Sequence, residues 1–392
     1  MQSLNLSIYI MKKTYIFIAV IAIIVIVIVS IKDNKSNTLN IGVISPLSGS
    51  ASAYGEPALN SILIAQKEIN DSGGILGKKV NLIIEDGKCD GTTSATAAHK
   101  LIDLDKVPVI LGGHCSTETL AIAPIAEKSK TIILASITSS PNVTNSGEYI
   151  FRNSPSSEFF TAKSADYAFA KGYKKIAALY ENKDFPVGVF NAFRDQFTKN
   201  GGQIVSNDAF SSDVNDLRTY LKKIATQKPD AILFAAQGPS LSVTFYKQMS
   251  ELGLLNKYPI IAGPQSVSPM INQQTNGLLN NPNIVATDGY VNPQDQKTKD
   301  FIKKYIDSYH EIPPTNLAYL ATSYDALFMI KEAMESCKSY SNTKCIKEYL
   351  SNIKDWVGAA GKITLGSHSS PVTPIGLHYF ERDGKESYSE LK

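Results

Sequence analysis

Residues 107–128 read VPVILGGHCSTETLAIAPIAEK. An apolar run, two glycines, a cysteine-bearing junction and then a helical pattern follow one another without a break. A run whose residues are nearly all apolar is buried on both faces, the mark of a parallel strand covered by helices. The same unit recurs on either side of it. NIGVIS (40–45) precedes a helical PALNSILIAQKEIN (57–70), VNLIIED (80–86) precedes TSATAAHKLID (93–103), and TIILAS (131–136) closes the first series. A second series starts near residue 174 with KKIAALYE, QIVSNDAF, DAILFAA and YPIIAG, each separated from the next by a helical pattern. Two series predict an α/β protein of two doubly wound units. The remaining third is mostly helical, with KTKDFIKKYIDSYH and NLAYLATSYDALFMIKEAMES, and has to bury its apolar face on the first unit. It ends in HYFERDGK, whose Asp383-Gly384 pair reads as a hairpin turn. The polar stretches FRNSPSSE (151–158) and ATDGYVNPQD (286–295) are then crossings between units, the hinge of a clamshell.

The amino terminus has another character. After Lys12 and Lys13 comes TYIFIAVIAIIVIVIVSI (14–31), long enough to span a bilayer. The lysines before it orient the rest of the chain outside the cytoplasm. A cleaved signal peptide competes with an uncleaved anchor, and the scarcity of small residues before a cut site favours the anchor. Translation from Met11 is the alternative start, and SIKDNKSNT reads as a tether.

Composition excludes several classes. The 392 residues carry 39 basic and 36 acidic side chains, with no block of like charge, so nothing points to nucleic acid. GGILGKK (73–79) has the wrong spacing for a phosphate loop, and no nucleotide fingerprint, nucleophile elbow or HExxH is present. No cofactor is implied, and an enzyme is disfavoured. The five histidines are scattered and no CxxC occurs, which argues against a metal site. Outside the cytoplasm the four cysteines are expected to pair. Cys337 and Cys345 enclose a turn-like segment, which leaves Cys89 with Cys115, and a pair of buried free thiols is the competing reading.

Polar residues gather where ligands bind such sheets, outside the carboxyl ends of the strands. SPLSGSASAYG (45–55) supplies Ser45, Ser48, Ser50, Ser52 and Tyr54, while DGKC, GGHCST and SITSSP close the next three strands. Ser116 is expected to cap the helix that follows it, a position suited to a carboxylate, with Glu118 as an acid in its first turn.

These residues carry a resemblance. GVISPLSGSASAYGEPALNSILIAQKEINDSGGILGKKVNLIIEDGKCD, GGHCSTETLAIAPIAEK, SITSSP and FRNSP, in that order, resemble the leucine/isoleucine/valine-binding protein family, solute-binding components of ABC amino-acid importers. The resemblance implies a type I periplasmic binding protein clamshell with three crossings, the third near Gly361. The implied division is an anchor and tether over 1–38, a first lobe of 39–155 with 289–361, and a second lobe of 156–288 with 362–392. It also implies a small-molecule ligand, ABC permease subunits as partners and an extracytoplasmic location, to which the apolar segment at 14–31 adds membrane anchoring. A sensory module signalling through a membrane partner is the alternative. Position by position, the resemblance makes the pair Cys89 and Cys115 a wall of the pocket and gives Ser116 the ligand carboxylate. It puts Tyr54 in the first loop and assigns the backbone carbonyl of Ile137 and Ser139 to the amino-acid head group. Phe185, Gln237 and Tyr319 follow on the second lobe and the returning helix. Gln265 departs from the pattern, standing where the family's amino-acid binders place a glutamate against the ammonium. An uncompensated buried charge costs several kcal/mol. Either Asp184 supplies the charge to an amino acid, or the ligand is an amide, a hydroxy or aliphatic acid, or an aromatic acid.

Overall fold

The computed structural model describes residues 37–391 apart from residues 50, 313, 367–369 and 372. The expected anchor at 14–31 lies outside the described residues. Among the described residues no helix is long and apolar enough to cross a membrane.

The first series builds a five-stranded sheet. Its strands are β1 (Thr38–Ser45), β2 (Lys79–Asp86), β3 (Val109–Gly112), β4 (Ile132–Ala135) and β5 (Ile150–Arg152), in the order β2-β1-β3-β4-β5. All its pairings are parallel. Period-two alternation sends successive residues to two different cores. Ile41, Val43, Val109, Leu111, Ile132 and Leu134 enter one, while Ile44, Ile110, Ile133 and Ala135 enter the other. Helices α1 (Ser52–Asp71), α2 (Gly91–His99) and α3 (Ser116–Ser129) connect the first four strands.

After β5 the chain passes through α4 (Ser157–Ala170) into a second sheet. This holds β6 (Lys175–Glu181), β7 (Gln203–Phe210), β8 (Ala231–Ala235), β9 (Ile260–Ala262) and β10 (Ile284–Gly289). Their connecting helices are α5 (Asp184–Lys199), α6 (Arg218–Thr226), α7 (Pro239–Glu251) and α8 (Pro269–Gln274). The alternation is the same: Ala177, Leu179, Ile232 and Phe234 face one core, and Ile176, Ala178, Leu233 and Ala235 face the other.

The chain then returns. Helices α9 (Gln296–Tyr309), α10 (Leu317–Ser336) and α11 (Thr343–Ser351) put Phe301, Tyr305, Leu320, Leu327, Ile330 and Ile346 into the first sheet's core. A small hairpin, β11 (Trp356–Gly358) with β12 (Gly361–Ile363), precedes a last passage to β13 (Ile375–Phe380) and β14 (Glu386–Glu390). These two strands extend the second sheet antiparallel, giving the order β14-β13-β10-β9-β8-β6-β7. The expected turn at Asp383-Gly384 joins them, with Gly384 at φ +85.

Two polar groups hold the passages. The guanidinium of Arg152, buried at the end of β5, donates to the Ser140 carbonyl at 2.7 Å and to the hydroxyls of Thr144 and Ser370. It thereby ties the first sheet to the segment after β12. Asp325, 1% exposed on the otherwise apolar α10, accepts the Ala359 and Ala360 N–H groups at 2.8 Å each, one on each carboxylate oxygen. A Cβ at Gly358 would stand 2.3 Å from Asp325 Oδ2, so only glycine permits this approach. Asparagine at 325 keeps one acceptor for two buried donors. The variant Asp325→Asn is therefore expected to lose about 1–3 kcal/mol of stability in a urea titration, the cost of one unsatisfied buried N–H. An unchanged midpoint would mean that the hairpin is held by packing alone.

Candidate ligand-binding site

Both sheets reverse their direction of growth at their first strand, between β1 and β3 and between β6 and β8. At such a point the connections leave on opposite faces, and a crevice opens beyond the carboxyl ends of the strands. Five of the residues assigned from the sequence meet there. Tyr54, Cys115 and Ile137 from the first sheet's edge and Gln237 and Gln265 from the second's line one small cavity, together with His114. Its free volume is about 10 Å³, room for about one water molecule. The lobes touch across it. Tyr54 OH donates to the Gln265 backbone carbonyl at 2.5 Å, and Gln237 Nε2 donates to Gln265 Oε1 at 3.2 Å.

A larger cavity of about 640 Å³ lies outside this one, walled by Cys89, Thr117, Ser140, Glu158, Lys183 and Asp184 among others. Cys89 and Cys115 are disulfide-bonded, with their Cα atoms 5.4 Å apart, so the bridge separates the two cavities. Cys337 and Cys345 form the second bridge, and none of the four is a free thiol. Further contacts join the lobes along its wall: Thr117 Oγ1 donates to Asp184 Oδ2 at 2.8 Å, and Lys183 Nζ to the Cys89 carbonyl at 3.1 Å.

The junction at 112–118 is built differently from the expectation. Gly112, at φ +120, lets the chain pass over β1, since a Cβ there would lie 2.0 Å from the Ile44 carbonyl oxygen. Cys115 caps α3, and Ser116 is its first helical residue instead of the cap. Ser116 Oγ accepts from Thr138 Oγ1 at 3.0 Å and from the Ser140 N–H at 3.1 Å. With two bonds accepted, its own proton is free to donate, and it stands at a helix N-terminus, where an anion is favoured. Glu118 is more than a first-turn acid. It is fully buried, and its carboxylate accepts the Cys89 N–H at 2.9 Å and the Cys115 N–H at 3.0 Å. Burial pushes this carboxyl up to about 7 against the opposing pull of those backbone donors. One side chain thus fixes the backbone at both ends of the disulfide.

The remaining assignments fall in several places. Ser139 is buried, and its carbonyl accepts the Ser157 N–H at 2.7 Å at the start of the first passage. Tyr319 packs against Ile137 and Ala58 behind the inner cavity. Phe185 lies with Tyr180 and Phe190 in the core of the second lobe, away from either cavity wall. Asp184 is on the outer wall and is engaged by Thr117. Tyr54 sits in the first turn of α1, because that helix begins at Ser52, before the Pro57 at which the pattern suggested a start. The serines of the first loop mostly stitch the loop itself: Ser45 Oγ donates to the Gly55 carbonyl, Ser48 Oγ to Asp86 and Ser52 Oγ to the Gly49 carbonyl. Ser50 lies outside the described residues.

Two groups close to the inner cavity were not singled out from the sequence. His114 lines it, and burial lowers its pKa to about 4, so the ring is neutral. Asp288, 1% exposed at the second passage, accepts the Gly289 N–H at 2.7 Å and the Asn316 side-chain amide. Burial raises its pKa to about 7. The GGHC spacing offered a signal for the histidine. Nothing in ATDGY marks the aspartate.

The comparisons follow this geometry. An amino acid binding protein of Pseudomonas aeruginosa is 26% identical over 220 residues, an alignment that spans 56% of this chain and 59% of that protein. A Leu/Ile/Val-binding protein of Rhizobium johnstonii is 24% identical over 336 residues, 84% of this chain and 87% of that one. The crystal structure of a leucine binding protein from Thermotoga maritima superposes with a TM-score of 0.81 at 26% identity, covering 90% of this chain and 97% of that one. Residues 38–384 match the periplasmic binding protein family, and the chain belongs to it.

Proposed function

We propose that the protein is the extracytoplasmic receptor of an ABC importer, which closes its two lobes on an amino acid or a related amide or carboxylic acid and delivers it to permease subunits. One observation carries the reading: residues from the two sheets' switch-point edges line a single buried cavity and already bond to each other across it. The receptor holds its ligand without making or breaking a covalent bond. The lobes divide as 39–155 with 289–361 and 156–288 with 362–392, a division supported by the separate cores of the two sheets. Residues 14–31 anchor it to the membrane, supported by their apolar length and the lysines before them.

Ligand entry requires the lobes to part, since 10 Å³ cannot hold an amino acid. In the closed state the ligand carboxylate is held by Ser116 Oγ and the N-terminal N–H groups of α3, with Ser139 and the Ile137 carbonyl beside it. Tyr54 and the Cys89–Cys115 bridge wall the apolar part, and Gln237, Gln265 and Tyr319 complete the enclosure. Phe185 acts behind these groups by setting the start of α5.

A melting screen against amino acids, amides and carboxylic acids tests this directly. A true ligand at 100 times its Kd adds about 2.7 kcal/mol, which raises Tm by about 4 °C in a chain of this size. No shift with any compound of these classes would contradict the reading. Gln265→Glu is expected to strengthen L-leucine about tenfold relative to 4-methylpentanamide, because a charge-assisted bond replaces a neutral one. An unchanged ratio in a calorimetric titration would remove residue 265 from the ligand's surroundings.

A further inference from the structure

The inner cavity is bordered by polar atoms that the protein does not satisfy. Ser45 Oγ has one proton and gives it to the Gly55 carbonyl at 3.0 Å. At its 2.8 Å contact with His114 Nδ1 the imidazole must therefore be the donor. A neutral ring has no second proton, so Nε2 presents a bare lone pair. That nitrogen is buried and unpartnered. On the opposite lobe, with Gln237 Nε2 donating to Gln265 Oε1, Gln237 Oε1 is likewise buried without a partner. His114 and Gln237 are 3% and 4% exposed, and both line the cavity. An acceptor left dry in this way is costly, so the group that enters has to bring N–H or O–H donors.

Acceptors alone would suit an amide as well as an ammonium, and the surrounding charge separates the two. Gln265 is neutral, and Asp184 lies on the outer wall. Three buried acids border the inner side. Glu118 is committed to the Cys89 and Cys115 N–H groups, and Glu181 to the Gln237 N–H and the Ser212 hydroxyl at 2.6 Å each, which leaves Asp288 as the one turned to Tyr319. Its bonding partners, Gly289 N–H and the Asn316 amide, are uncharged. Its charge bears on Tyr54, which walls the cavity, and on Tyr319, which packs against the wall residue Ile137. The Tyr319 hydroxyl is buried beside Asp288 and forms no bond elsewhere. With its proton turned to the carboxylate, the hydroxyl extends that charge behind the wall residue Ile137, and such a chain polarises toward a cation.

We propose that the inner cavity selects an ammonium group on the ligand, accepted by His114 Nε2 and Gln237 Oε1, with Asp288 behind Tyr319 supplying the counter-charge that position 265 lacks. This deepens the receptor reading and rests on it. Asp288 acts through Tyr319, as a positioning residue, and His114 touches the ligand. An amino acid is then the favoured ligand class, and its deaminated acid the disfavoured one.

The test uses L-leucine and 4-methylpentanoate, which share a carbon skeleton and differ in the ammonium. Calorimetric titration of the wild-type protein is expected to show preference for L-leucine. Asp288→Asn and, independently, Tyr319→Phe are expected to cut that preference at least tenfold, as is His114→Phe. A merely structural role would weaken both compounds alike and leave the ratio unchanged. That result, or a wild-type preference for 4-methylpentanoate, overturns the inference while the receptor reading stands. Failure of the wild-type protein to bind either compound, or anything else in the melting screen, overturns the receptor reading and this inference together. Tyr319→Phe removes only one oxygen, so it answers the question even if Asp288→Asn does not fold.

Discussion

A parallel sheet that grows first to one side of its opening strand and then to the other leaves a crevice at that strand's carboxyl end. This chain does so twice, and the two crevices face each other. Most of the site follows from that constraint. Tyr54 and Cys115 stand where they do because β1 and β3 end side by side, and Gln237 and Gln265 because β8 and β9 end opposite them. Parting the two edges requires rotation about the three passages between the sheets, as a hinge does.

The crevice is kept in shape by charged groups that are costly to bury unless hydrogen-bonded. Glu118 is the clearest case. Its carboxylate is taken out of water to hold the backbone at Cys89 and Cys115, so the disulfide and the first turn of α3 move as one unit. Ser116 then inherits a fixed position, with its lone pairs engaged and its proton free. Asp325 does similar work for the β11–β12 turn before the third passage. Among the buried polar atoms left without a partner, His114 Nε2 and Gln237 Oε1 share one cavity, a place kept for something else.

Much of this was legible in the sequence. The apolar runs at 40–45, 107–112 and 131–136 name the middle of the first sheet because burial on both faces leaves no room for alternation of polarity, and the structure shows them feeding two cores. The run at 80–86 is the half-exposed edge strand β2. The Cys337–Cys345 bridge and the Asp383-Gly384 hairpin were likewise local enough to read, and Cys89–Cys115 was the pair they left. Helix starts were less so. Pro57 looked like a first helical residue, yet α1 begins five residues earlier, and Cys115 took the capping place expected of Ser116. Phe185 was assigned to the pocket and lies in a lobe core, because aromatic residues at a strand-helix junction serve either purpose. Asp288 was invisible, since its significance depends on Tyr54, Tyr319 and Asn316, residues remote in the chain that reach it only when the lobes assemble.

The central claim is that one small ligand lies between the lobes with its anionic end on Ser116 and its cationic end toward His114, Gln237 and Asp288. A crystal structure of the protein with the amino acid that most raises its melting temperature tests this most directly. The account predicts the carboxylate at the start of α3, the ammonium within hydrogen-bonding distance of His114 Nε2 and Gln237 Oε1, and the Tyr319 hydroxyl between it and Asp288. A ligand confined to the outer cavity beside Asp184, or one bound with its carboxylate against His114, would contradict it.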